Sequence, residues 1–208
     1  MNALGTDTIT TWLIAGRHFA APPPDDWRAR LAARLGERPR RIGPWVELAL
    51  HGALACLDDA GEHRLPDGAA LNLATLRGPD LALRATLFEA RDGLPLPLGF
   101  LASQPSQALP ALAHRLGWCG DGRCQSSPDP AVTLDFACTD AGPAGLLAGW
   151  VDEGDPLCSI WLRLVPAPAH APRPARPARF ADLSDPAVRL LAVDAAGLLI
   201  HREESIHG

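Results

Sequence analysis

Apolar residues recur along this chain in two periods, and the switches between them lay out its elements. Residues 9–15 (ITTWLIA) read as a first strand, and Pro22-Pro23-Pro24 ends the loop that follows it. Asp25-Asp26 then precede a helix over 27–35, with the acidic pair at its positive end. Val46, Leu50, Leu54 and Leu57 recur at helical spacing and predict a long helix over 43–60. LNLATL, residues 71–76, reads as a buried strand. Residues 81–90 predict a helix, 98–102 a short extended piece, and 107–116 a helix closed by Gly117. Val132, Leu134 and Phe136 alternate with polar positions, which predicts a strand over 132–137. The small-residue stretch after it opens into a predicted helix over 142–151, carrying Leu146, Leu147, Trp150 and Val151. CSIWLRLV, residues 158–165, predicts another strand. PAPAHAPRPARP, residues 166–177, reads as an extended, solvated linker, and 188–202 as a hairpin around Ala195-Ala196-Gly197. The alternation of strands and helices predicts an α/β fold with a mostly parallel central sheet flanked by helices, followed by a C-terminal hairpin. The expected division is a domain over 1–165, a Pro/Ala/Arg linker over 166–178 and a tail over 179–208 that packs on the domain.

Composition narrows the chemistry. The 208 residues include 19 basic ones, all arginine, and no tyrosine. Without lysine there is no Schiff-base nucleophile, no phosphate-loop lysine and no lysine general base. A net charge of −5 argues against a nucleic-acid partner. No apolar run has the length of about 20 residues that a membrane span needs. The N-terminus carries no secretion signal pattern, so a cytoplasmic protein is expected.

Five cysteines, Cys56, Cys119, Cys124, Cys138 and Cys158, are scattered and odd in number, which reads as free thiols. Cys119 and Cys124 flank a glycine-rich turn near His114, one loose pair where a zinc site wants about four ligands, so no metal is expected. The Arg34–Arg41 run sits beside Asp25-Asp26 and Glu37 and reads as a solvated helix end. Asp58-Asp59 and Glu203-Glu204 are adjacent pairs whose side chains do not share a helix face. Trp45, Trp118, Trp150 and Trp161 lie within apolar patterns and are expected to pack in the core or an interface. Neither a Gly-x-Ser-x-Gly elbow nor a Gly-x-Gly-x-x-Gly loop is present.

Four segments in order carry a resemblance: RRIGPWVELALHGALACLDDAG, LNLATLRG, FLASQPSQALPALAHRLGWCG and LDFACTDAGPAGLLAGWVDEG. Together they resemble the N-terminal half of a β-ketoacyl synthase of the thiolase-like fold. The match is better to the short, chain-length-factor-like proteins of aryl polyene and xanthomonadin-type pigment pathways. The resemblance covers residues 9–165 and places Cys138 at the strand-to-helix elbow where synthases carry Ala-Cys-Ser-Ser. Thr139-Asp140 stand in place of the two serines, and a carboxylate at Asp140 would raise the thiol's pKa.

Condensation also needs two histidines and a lysine that the family carries in its C-terminal half, in His-Gly-Thr-Gly-Thr and Lys-Ser-x-x-Gly-His motifs. The chain has neither motif, and its later histidines, His170, His201 and His207, lie outside any Gly/Thr-rich loop. Cys138 is therefore a nominal nucleophile position that also reads as an ordinary buried thiol. The resemblance implies a non-catalytic, chain-length-factor-like subunit, with no cofactor, that supports a partner ketosynthase in polyketide or fatty-acyl-type assembly. A lone half-fold implies a partner over its uncovered face, either a ketosynthase or a second copy forming a homodimer. The alternative is an acyl-thioester-handling enzyme, a transferase or thioesterase-like protein, using Cys138. An acyl carrier protein is a further expected partner, for which Arg34–Arg41 is the dense basic candidate.

Overall fold

A single eight-stranded mixed sheet organises the molecule, seen in a computed structural model that describes residues 10–40, 42–93, 96–194 and 197–203. The strands are β1 (Trp12–Ala20), β2 (Ala70–Thr75), β3 (Gly122–Ser126), β4 (Leu146–Asp152), β5 (Cys158–Pro166), β6 (Arg176–Pro177), β7 (Val188–Asp194) and β8 (Gly197–Arg202). The helices are α1 (Trp27–Leu35), α2 (Pro44–Asp59), α3 (Asp80–Arg91), α4 (Pro97–Ala102), α5 (Ala108–Arg115) and α6 (Pro130–Asp140). The sheet order is β3-β2-β4-β5-β1-β7-β8-β6. Only β2 with β3 and β2 with β4 pair in parallel; the other pairings are antiparallel. The α/β class stands, but the expected mostly parallel sheet does not. The reason is that β4 returns directly through a short turn into antiparallel β5, and the C-terminal strands extend the sheet as hairpins.

Two apolar layers flank this sheet. One holds α1, α2 and α5 against the faces of β2, β4 and β5, with Trp45, Leu57 and Trp161 fully buried. The other packs α6 and the C-terminal strands against Trp12, Ile14, Leu162 and Leu164. Helix α2 can lie flat on β5 because position 52 is glycine. A Cβ there would stand 2.2 Å from Ser159 Oγ and 2.4 Å from Trp161 Cδ1. The hairpin β7–β8 is joined to the sheet by pairing with β1 and by Arg17. The Arg17 guanidinium donates to the carbonyls of Leu183 (3.0 Å), Val188 (2.6 Å) and Asp185.

Four local expectations change. Residues 130–140 form helix α6 and not a strand, because Asp129 caps it through a 2.8 Å bond from Ala131 N and Pro130 opens it. Its buried positions, Thr133, Leu134, Ala137 and Cys138, follow the helical period; Val132 and Phe136 face outward. Residues 146–152 form strand β4 and not a helix. Gly145, at φ 77°, turns the chain into it, and a Cβ there would meet Leu164 O at 2.1 Å. The strand is buried on both faces, and such a run looks the same as a buried helix in sequence. Residues 97–102 are helical, opened by Pro97. The polar stretch 122–126 is an edge strand. Of the first predicted strand, Ile9 lies outside the described residues, as do Ala195-Ala196 of the hairpin turn. Among the described residues no helix is long and apolar enough to cross a membrane.

Candidate functional site at the strand-to-helix elbow

The parallel strands β2, β3 and β4 end on one rim, at Thr75, Ser126 and Asp152. Open α/β sheets bind ligands beyond the carboxyl ends of such strands. The rim is built around the buried Asp152 carboxylate. It accepts from Thr75 Oγ1 at 2.6 Å, Leu76 N at 3.1 Å, Arg77 N at 2.7 Å and Gly78 N at 3.2 Å. Satisfying this many donors at once fixes the turn after β2, where Gly78 adopts φ 61°. The neighbouring Glu153 accepts from Leu81 N at 2.9 Å, in the first turn of α3. Burial holds the Glu153 carboxyl above the usual carboxylate range, against the opposing pull of that amide.

A cleft of about 280 Å³ opens beside this turn, lined by Thr75, Arg77, Gly78, Ser106, Cys124 and Ser126 among others. At its edge β3 gives way to α6 through Ser127, Pro128 and Asp129. Ser127 N donates to Thr75 O at 3.0 Å, and Asp129 N donates to Ser127 Oγ at 3.1 Å. This is the strand-to-helix elbow of the fold, and no cysteine occupies it. The expected elbow at Cys138 is corrected: Cys138 lies in the last turn of α6, at the opposite end of that helix.

Cys138 is 8 % exposed, packed in the apolar layer with Leu134, Leu146 and Leu162. Burial, with the Asp135 carboxylate one turn back, pushes its thiol up to about 12. The expected carboxylate, Asp140, instead pairs with Arg123. Thr139 Oγ1 donates to Asp135 O at 3.0 Å, a bond inside the helix. Cys124 lines the cleft, and burial pushes its thiol up to about 11. A thiol held that high is overwhelmingly protonated at neutral pH and is a poor nucleophile. No imidazole and no carboxylate is among the residues lining the cleft. It can therefore hold an apolar or hydrogen-bonding segment, but it contains no base to activate a thiol or hydroxyl.

The remaining sequence candidates are dispersed. Cys119 is exposed ahead of β3, while Cys124 lies within that strand. Arg34 is bound to Asp58 at 2.8 Å, so the basic run is partly neutralised, while its acidic neighbour Glu37 is taken by Arg115 at 3.0 Å; Arg41 lies outside the described residues. Asp58 and Asp59 take separate partners, Asp59 accepting from Arg17 N at 2.8 Å. Trp45, Trp118, Trp150 and Trp161 are all buried; the indoles of Trp45 and Trp118 donate to Val151 O (3.1 Å) and Ala69 O (3.0 Å). The sequence reading missed the Asp152 turn and the true elbow. The signal for the elbow was Asp129-Pro130, a cap followed by a first-turn proline.

The chain matches no protein-family model and no curated protein sequence. In structure it is similar to the ketosynthase ApeO in complex with its chain length factor ApeC from Xenorhabdus doucetiae. That likeness has a TM-score of 0.53 at 16 % identity, over 77 % of this chain and 79 % of that one. It is also similar to the ishigamide ketosynthase/chain length factor, with a TM-score of 0.54 at 16 % identity over 79 % of this chain. A third likeness is to AntDE:AntF, a type II polyketide synthase acyl-carrier protein in complex with its ketosynthase, with a TM-score of 0.52 at 14 % identity over 76 % of this chain. The chain spans 64 % and 58 % of the second and third of these, less than two thirds of their length. At such identities it is the backbone architecture that is shared: the chain has the thiolase-like α/β fold of ketosynthases and chain length factors.

Proposed function

We propose that this protein is a non-catalytic, chain-length-factor-like subunit that supports a partner ketosynthase in polyketide or fatty-acyl-type assembly. The observation that carries this reading is the elbow itself. Ser127, Pro128 and Asp129 fill the position where a condensing enzyme needs its thiol; the thiol of Cys124 beside it and that of Cys138 at the far end of α6 are both held far above neutrality. The chain also has no lysine with which to assist decarboxylation. In this reading residues 1–165 are the ketosynthase-like unit and the hairpin after the linker is an addition that lengthens its sheet.

The surface around the cleft supports a partner. Strand β3 ends the sheet order, so among the described residues its outer edge has no strand partner. Helices α3 and α4 expose Leu81, Leu87, Phe88, Leu98 and Phe100, each more than half exposed, and α6 adds Phe136. An apolar surface of this kind is rarely left to water in a monomer. The similar structure from Xenorhabdus doucetiae is itself a ketosynthase in complex with its chain length factor. A partner of the same fold, adding its own edge strand beside β3, would cover both the edge and the apolar helices. An acyl carrier protein would then meet the pair, with Arg38 and Arg40 as the exposed remainder of the basic run.

Co-expression with a candidate ketosynthase from the same genome tests the proposal. A stable heterodimer is expected, with condensation activity that requires this chain and survives Cys138→Ala. A clean monomer by light scattering, with no affinity for a synthase, would sink it. A mass increment on Cys138 after incubation with acyl thioesters would favour the acyl-handling alternative.

A further inference from the structure

A second cleft, far from the elbow, lies between the end of β1 and helices α1 and α2. It has a volume of about 280 Å³, near the small end of ligand pockets, and its walls include His18, Arg30, Arg34, His51, Leu31 and Leu54. The two imidazoles meet edge to face with centroids 5.4 Å apart, and Trp27 packs on His51 at 5.8 Å. One atom of its lining stands out: His18 Nε2 is buried and has no hydrogen-bond partner among the described residues. Orphaned buried polar atoms are uncommon and call for an occupant.

The bonding capacity of the walls says what that occupant is. Arg30 spends its Nε on Asp26 at 2.9 Å, which leaves both terminal nitrogens unspent among the described residues. Arg34 spends Nε and Nη2 on Asp58, which leaves Nη1. A guanidinium carries five N–H donors, so the cleft holds a surplus of donors, and its one carboxylate, Asp58, is already engaged. The Arg30–Asp26 pair is more than half exposed on both sides, and ion pairs so exposed hold weakly, so Arg30 can turn to a ligand at little cost. Below the guanidiniums the wall is aliphatic: Pro24, Leu31, Leu54 and Ala55.

We propose that this cleft binds a small organic carboxylate with a compact apolar body, its oxygens accepting from Arg30, Arg34 and His18 Nε2 and its body lying on Leu31 and Leu54. Both imidazoles are held neutral at pH 7, since burial lowers them. They therefore add a hydrogen bond and a surface but no charge, and the arginines set the sign of the ligand. This site stands apart from the subunit reading and would survive its failure.

Titration of the purified full chain with cyclohexanecarboxylate, followed through the imidazole proton signals of His18 and His51, is the test. Two controls separate the sources of affinity: cyclohexanecarboxamide, which keeps the body without the charge, and inorganic phosphate, which keeps the charge without the body. Saturable shifts are expected with the carboxylate, and affinity weaker by about tenfold or more, the equivalent of 1.4 kcal/mol, with either control. Arg30→Gln and Arg34→Gln, both at exposed positions, are each expected to weaken the carboxylate by a similar factor while far-UV circular dichroism stays unchanged. Absence of saturation, equal binding of the carboxamide or of phosphate, or full affinity in both variants would overturn the proposal.

Discussion

Helices α2 and α3 are both rich in leucine and alanine, yet they live in opposite surroundings. Helix α2 buries twelve of its sixteen residues, and its neighbours answer its polar groups: Trp45 donates to Val151 O, and Ser159 Oγ to Leu48 O. Helix α3 buries only Thr86 among its twelve residues and turns Leu81, Leu87 and Phe88 to solvent. Where α3 meets α4, the buried atoms Thr86 Oγ1 and Glu89 Oε2 have no partner among the described residues, under the close approach of Gly99. One helix is a completed core; the other is polar inside and apolar outside. The contrast teaches that apolar content does not tell a core from an interface. What distinguishes them is whether the rest of the same chain reaches the apolar face.

The largest effect should come from α2's seat on the sheet. Trp161→Ala removes the ring against which Gly52 packs and is expected to cost about 3–5 kcal/mol in urea unfolding. A loss below about 1 kcal/mol would mean that α2 is not the core this contrast assumes. Acid should also weaken this side of the molecule. Burial, with His51 beside it, depresses the native His18 pKa from 6.5 to about 4. The unfolded chain then takes up a proton that the native one refuses. The contribution of His18 is complete above pH 6.5, falls by about 2–3 kcal/mol as the pH drops towards 4, and is flat below that. Denaturant midpoints measured across this window should follow that slope, and His18→Gln should flatten it.

The exposed face of α3 should behave in the reverse way. Leu87→Glu or Phe88→Glu is expected to change monomer stability by less than about 0.5 kcal/mol, while abolishing capture by the partner synthase. A variant that unfolds would place these residues in a core; one that still binds would remove α3 from the interface. The smallest effect on partner capture concerns the thiols. Cys138→Ala should cost only about 1 kcal/mol and leave partner-dependent activity intact. In the native protein at pH 8 the exposed Cys119 should react with iodoacetamide well before Cys138, as read by peptide mass mapping.

The contrast also marks where the sequence was legible. The period of α2 and the solitary cap and glycine signals around α1 and α5 placed those helices to within two residues. The α/β class and the ketosynthase-like resemblance emerged from the order of segments alone. The stretch 131–154 misled for a physical reason. Alternation of Val132, Leu134 and Phe136 imitates a strand, but two of these three are exposed, and the actual buried set is helical. Strand β4 imitates a helix because burial on both faces erases its period. The swap displaced the elbow from Ser127–Asp129 to Cys138 and, with it, the first choice of site residue.

By itself, then, the sequence determined the alternating α/β layout and the exclusion of lysine chemistry. These depend on composition and on local period, which a chain carries wherever it folds. Only the tertiary structure decided the antiparallel majority of the sheet, the content of the elbow, the pairing of Asp140 with Arg123 and the meeting of His18 with His51. Each of these joins residues distant in the chain or depends on which face is buried. That information is absent from local sequence and enters only when the strands choose their neighbours.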